Sequence, residues 1–350
     1  MNPRERVRTA LARKVPDRVP KRLKFSPVLK QLFNEKTGTD DVEKYFGIEL
    51  RTVPRGKTRK STDFSGYFPD LPPGATFTEW GEARVRGSMH HFTRRIHPME
   101  QFTGVRQLEQ YPFPDIDAGY RYQGVENTIK TIQDDGYAAI ASGGDIFETS
   151  WAMRGLDKML MDFLSDEEFA TALLDRVTDM FCSVSEKFAG AGADVIMLGD
   201  DIGIQTGMMM SPATWRKWLK PRLARLIQCI KETNPETYVF YHSDGNIEDV
   251  IPELIEIGVE VLNPIQPECM DPAELKKQYG DRLAFWGTVG IQHTMPFGTP
   301  QEVREEVKLR IETVGKGGGL LIAPTHVLEP EVPWENVVAF IDAVNEFGTY

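Results

Sequence analysis

Cysteine is scarce in this chain. Cys182, Cys229 and Cys269 are odd in number, widely separated and free of any Cys-x-x-Cys spacing. A disulfide framework is therefore not expected, and a reducing, cytoplasmic setting is. Long apolar runs are missing too: no stretch approaches the ~20 residues that cross a bilayer. The opening Met1-Asn2-Pro3-Arg4-Glu5-Arg6 lacks the apolar core of a signal peptide, so export is not expected. Positive charge is in deficit. The 41 Lys and Arg against 52 Asp and Glu leave a net charge of −11, which argues against a nucleic-acid surface and against anionic membranes. Neither Gly-x-Gly-x-x-Gly nor a Walker A sequence occurs, and Gly315-Lys316-Gly317-Gly318-Gly319 precedes an apolar run instead of following one. No repeat, low-complexity tract or linker divides the chain. What remains, 350 residues that are 41% hydrophobic, can bury a large core and suits a soluble enzyme.

The local pattern becomes regular after residue 117. Apolar runs at 138–142, 194–198, 238–242, 259–262, 283–286 and 320–323 alternate with amphipathic stretches, among them 122–134, 166–190, 212–232 and one starting near Trp334. Most of the runs stop at small or polar residues. Alternation of this kind predicts a parallel sheet with right-handed crossovers. Adding N-terminal strands near 22–25 and 46–53 brings the count close to eight, so the expected fold is α/β, a single (β/α)8 TIM barrel over residues 1–350. Asn2-Pro3 reads as a helix start. Residues 54–100 mix glycine, proline and charge with short alternating runs, which predicts a β-hairpin insertion covering one end.

The most informative stretch is Tyr238-Val239-Phe240-Tyr241-His242-Ser243-Asp244-Gly245-Asn246-Ile247, read as buried strand, sharp turn and helix. Period-two alternation sends His242 and Asp244 to the same side of the strand's C-terminal end, the end at which parallel α/β folds bind ligands. The other strand ends offer Asp145, Asp200, Asp201, Gln266, Thr288 and His326. His242, Asp244 and His326 make two nitrogens and one carboxylate. That set suits a zinc site with one open position, and it suits other divalent metals equally. The alternative for the same residues is structural: His242 hydrogen-bonded in the barrel, Asp244 capping the helix near Ile247, and His326 in a loop. Asp200 and Asp201 are adjacent, so only one faces the mouth, where a carboxylate in a dry pocket, with His242 beside it, could serve as acid or base. Met208-Met209-Met210, Trp215 and Trp218 read as core packing. His90, His91 and His97 read as rim residues of the insertion.

Several of these stretches together resemble the uroporphyrinogen decarboxylase superfamily, including its cobalamin-dependent coenzyme M methyltransferases. The carrying residues are Leu198-Gly199-Asp200-Asp201-Ile202-Gly203 with Ser211-Pro212, Tyr241 to Asn246, Asn263-Pro264-Ile265-Gln266-Pro267, Phe285-Trp286-Gly287, and Gly318 to His326 ahead of Val332-Pro333-Trp334-Glu335-Asn336. The resemblance implies a (β/α)8 barrel. The decarboxylases' Arg-Gln-Ala-Gly-Arg-Tyr segment, which grips substrate carboxylates, is replaced here by Lys21-Arg22-Leu23-Lys24-Phe25-Ser26-Pro27. The methyltransferase branch is similar at a His-x-Cys…Cys zinc site: His242 matches its histidine, while Asp244 and His326 stand where its cysteines would be. The resemblance thus implies a methyltransferase moving a methyl group between a small-molecule substrate and a corrinoid carried by a partner protein, assisted by zinc or another divalent metal. A cofactor-independent decarboxylase of a carboxylated tetrapyrrole or aromatic substrate is the alternative, and a non-catalytic tetrapyrrole-binding barrel is a third reading. A homodimer is compatible with either enzyme; nucleic acid and membrane are not expected partners.

Overall fold

Seven parallel strands form one curled sheet: β1 (Leu50–Thr52), β2 (Ala138–Gly144), β3 (Val195–Gly199), β4 (Tyr238–His242), β5 (Val261–Asn263), β6 (Ala284–Trp286) and β7 (Leu320–Leu321), adjacent in that order. The computed structural model describes residues 1–86 and 93–350. The gap between β7 and β1 is filled by residues 20–25. Lys21 pairs in parallel with Ile322 and Phe25 with Leu328, as isolated bridges. The strand expected near 22–25 is reduced to these contacts because Pro20 has no N–H to give to a ladder, and the Lys21 amide donates to the Glu49 carboxylate at 3.1 Å. The fold is a TIM barrel whose first strand is vestigial.

Alternation along the strands builds two cores. Ile140, Val195, Phe240, Val261, Ala284, Trp286 and Leu321 point into the barrel, where they meet Val7 and Leu11. Ala139, Ile196, Val239, Tyr241, Leu262, Phe285 and Leu320 point out against the helices. Helix Pro3–Leu11 starts as its sequence predicts, with Asn2 and Glu5 forming a capping box and Pro3 in the first turn. It closes the barrel's N-terminal end. There Arg4 and Arg8 each reach the buried Asp194 carboxylate, immediately before β3, at 3.0 Å.

The expected 212–232 helix is two helices, Pro212–Trp218 and Lys220–Thr233, because Pro221 cannot sit inside a continuous helix. Two helices that the alternation pattern did not suggest, Ile146–Arg154 and Leu156–Ser165, lie between β2 and the long helix Glu167–Gly190. Within 54–100, strands Thr76–Phe77, Ala83–Arg86 and Thr93–Ile96 form an antiparallel sheet. Met208 belongs to a two-stranded hairpin (Gly203–Ile204 with Gly207–Met208) rather than to a helix, though it packs against the core as expected. Among the described residues, no helix is long and apolar enough to cross a membrane.

Candidate active site

Tyr238, Phe240 and His242 share the inward side of β4, while Tyr241 between them is buried among the helices. The chain therefore arrives at the barrel mouth with an imidazole at its last inward position. Asn263, at the end of neighbouring β5, fixes that ring. Its amide nitrogen donates to the Trp286 carbonyl at 2.7 Å, so its oxygen faces His242 Nδ1, also at 2.7 Å. An acceptor there assigns the proton to Nδ1 and leaves Nε2 with a free lone pair.

Nε2 meets two carboxylates. Asp201 Oδ1 lies 3.6 Å away and Asp244 Oδ1 3.7 Å away. Ligand atoms of Asp201, His242 and Asp244 fall within 4.8 Å of one another, and all three residues are half-buried. The two acids come together because their loops cross backbone to backbone. Gly245, at φ +81°, has no room for a side chain: a Cβ there would sit 2.5 Å from the Gly203 carbonyl carbon. The Asp244 amide donates to Asp201 Oδ1 at 2.8 Å, and buried Ser243 accepts the Ile202 amide at 3.1 Å. Asp244 Oδ1 is itself buried and has no hydrogen-bond partner. Burial pushes the Asp244 carboxyl above its ordinary range; His242 and His326 oppose this and Asp201 adds to it. His326 Nε2 lies 4.0 Å from Asp244 Oδ2, on the other side of that carboxylate.

The alternation continues past β3. Val195 and Met197 face inward, Gly199 follows, and Asp201 keeps their parity. Asp200 turns the other way. It is buried and accepts the amide N–H of Glu148 at 2.9 Å, serving the N-terminus of helix Ile146–Arg154. Burial, with Asp145 nearby, holds its carboxyl well above the usual range.

Two further acids complete the mouth. Burial raises Asp145 to about 6, against the pull of His242. Burial, the charges of Asp201 and Asp145, and a hydrogen bond with Asp201 raise Glu148 to about 8. Glu148 is thus protonated near neutral pH. Beyond its place in the first turn after Asp145, Glu148 carries no local sequence signal, because helix Ile146–Arg154 starts without a side-chain cap. These groups line a cavity of about 410 Å³ together with Arg22, Lys24, Ile140, Met197, Phe240, His242, Trp286 and His326. Gln266 supports the turn from outside, accepting the Gly245 amide at 2.6 Å. His97 is tied to the Ala152 carbonyl at 2.8 Å and Thr288 is buried. His90 and His91 lie outside the described residues.

Residues 90–347 match the uroporphyrinogen decarboxylase (URO-D) family. The chain belongs to that family. Within it, the chain is 28% identical over 174 residues to the methylcobamide:CoM methyltransferase MtaA of Methanosarcina barkeri, an overlap of 50% of this chain and 48% of that protein. It is also 23% identical over 261 residues to the uroporphyrinogen decarboxylase of Pseudoalteromonas translucida, covering 72% and 70% of the two chains. The matches to MtaA span about half of that protein's length. A solved methyltransferase from Methanosarcina mazei superposes over 99% of both chains with a TM-score of 0.69 at 18% identity, which shows a shared fold. Both enzyme types are relatives of this URO-D family chain.

Proposed function

We propose that this URO-D family member is a metal-assisted methyltransferase that moves a methyl group between a small substrate and a corrinoid carried by a partner protein. The observation that carries the reading is the buried, unpartnered Asp244 Oδ1 beside the free lone pair of His242 Nε2. An orphaned carboxylate oxygen and an oriented imidazole nitrogen suit a cation better than they suit each other. His242, Asp244 and His326 would hold zinc or another divalent ion, with Asp201 as a further oxygen donor. Such an ion supplies Lewis acidity to a substrate oxygen or thiol. Glu148, whose carboxyl is held protonated near neutral pH beside Asp201, provides the acid–base group, while Asp200 secures the helix behind it. The partner's corrinoid would approach over the open mouth.

Metal analysis of the purified protein, before and after reconstitution, tests the centre. Wild type should carry one equivalent and His242→Ala none; a wild type without stoichiometric metal after reconstitution sinks the metal part. Spectroscopic loss of methylcobalamin in the presence of candidate acceptors tests the transfer. One observation favours a second reading, cofactor-independent decarboxylation: protonated Glu148 shares its cavity with the cations Arg22 and Lys24, so a proton donor and a carboxylate-binding wall lie together. Carbon dioxide release from a candidate acid with no corrinoid present would replace the methyltransferase reading.

A further inference from the structure

The long helix Glu167–Gly190 and helix Lys220–Thr233 run side by side outside the barrel, one leading into β3 and the other into β4. Ion pairs fix their register. Arg222 Nε holds Asp175 Oδ1 at 2.7 Å, and one turn further Arg225 Nη2 holds Asp179 Oδ1 at 2.6 Å. Near the far end, the Asn234 side-chain amide donates to the Ala189 carbonyl at 3.2 Å. Asp175, Asp179 and Cys182 share one stripe of the first helix, at spacings of four and three. Arg222, Arg225 and Cys229 share one stripe of the second, at three and four. The next turn of this ladder therefore sets Cys182 against Cys229. The two thiols lie within hydrogen-bonding reach of each other, and both feel the charge of Arg225. Cys182 is buried and Cys229 half-buried.

We propose that Cys182 and Cys229 form a reversible disulfide, a redox-responsive link between the helices that lead into β3 and β4. Those strands carry Asp201 and the His242–Asp244 turn at their far ends. In a reducing setting the pair rests as thiols. The oxidant is a low-molecular-weight disulfide. The thiolate of Cys229, the more accessible partner, attacks one of its sulfurs; the reagent's S–S bond breaks, and one thiol leaves with the proton that Cys229 lost. Cys182 then gives its proton to solvent and attacks the Cys229 sulfur, and the second thiolate leaves and takes up a proton. Two cysteine thiols are oxidised to one disulfide, and the reagent is reduced to two thiols. Burial, and after it Cys229 itself, holds the Cys182 thiol above its ordinary range, which assigns the first attack to Cys229. Cys269, whose thiol donates to Gln205 at 2.9 Å in the loop after β5, stands apart from the pair. The pair lies among the helices, away from the mouth, and is independent of the methyltransferase reading.

Full-length protein is equilibrated with glutathione disulfide, quenched in acid, digested and mapped by mass spectrometry. Wild type should go from three free thiols to one. It should lose two hydrogens in mass and yield one linked peptide pair, Cys182 with Cys229, with no glutathione retained. The oxidised protein should melt at a higher temperature, because the link closes a long loop of the unfolded chain. Dithiothreitol should reverse both changes. Cys229→Ser should show neither the link nor the higher melting temperature, whereas Cys269→Ser should show both. Three persisting thiols, glutathione retained on Cys229 without a link, a link that involves Cys269, or a melting temperature unchanged or lowered by oxidation would each overturn the proposal. If Cys229→Ser does not fold, the wild-type peptide map decides. Loss of the methyltransferase reading alone would leave all of these results untouched.

Discussion

Asn263 stands behind His242 as a fixed acceptor: its oxygen lies 2.7 Å from Nδ1, and its own amide is committed to the Trp286 carbonyl. The outer side of the imidazole is therefore decided by two neighbouring strands before any ligand arrives. Asn263→Leu frees the ring to rotate and change tautomer. Its affinity for zinc should drop by roughly 10–100-fold, measured by competition with a chromophoric chelator. Unchanged affinity in a folded variant would show that the ring needs no such support.

Asp244 gives a contrasting case. Burial makes its ionised form costly in the metal-free protein. Asp244→Asn should therefore stabilise the metal-free protein while abolishing metal binding. Wild type should lose thermal stability on chelation, because a ligand bound only to the folded state stabilises it. The variant's melting curve should be indifferent to chelator, and a chelator effect of wild-type size in Asp244→Asn would remove this residue from the ligand set.

Glu148 makes a prediction about pH. Its carboxyl is raised from an ordinary 4.5 to about 8 in the folded protein. The folded chain thus holds this proton more tightly than the unfolded chain does. Its effect on stability is most favourable below pH 4.5, declines as pH rises from 4.5 toward about 8, and then levels off. Glu148→Gln should flatten this part of the stability profile and raise stability at pH 8 by roughly 1–2 kcal/mol, while lowering methyl transfer. Asp145, raised from 3.8 to about 6, acts in the same direction and should leave a smaller residual slope at lower pH. Denaturant melts across this range check the sign; a Glu148→Gln protein with the wild-type slope would contradict it.

Gly245→Ala should be severe. A methyl group at φ +81° would sit 2.5 Å from the Gly203 backbone, and neither loop can yield without parting Asp201 from Asp244. A loss of about 2–4 kcal/mol is expected, together with loss of metal binding. Gly38→Ala, also at positive φ (+73°) but facing open space, should cost far less.

Period-two patterning and strand–helix alternation made the barrel legible, together with His242 and Asp244 at its mouth. The vestigial first strand was harder to read, because Pro20 removes a donor that the apolar pattern does not register. The choice between Asp200 and Asp201 lay in the same alternation: Val195 and Met197 face inward, and counting on by two reaches Asp201. Glu148 was hidden for a different reason. Its helix, Ile146–Arg154, is bounded by no strong signal beyond Gly155, and its proximity to Asp201 is purely tertiary.

Helix Pro3–Leu11, pinned by Arg4 and Arg8 to Asp194, gives the barrel a floor. A room with one door imposes an order on its visitors. A small substrate must enter and leave by the same opening that a corrinoid protein would cover, so it must bind before the partner docks and leave after the partner departs. Turnover under the proposed reaction would be ordered, through a complex that holds both at once. Double-reciprocal plots at varied partner concentration should then give intersecting lines rather than parallel ones.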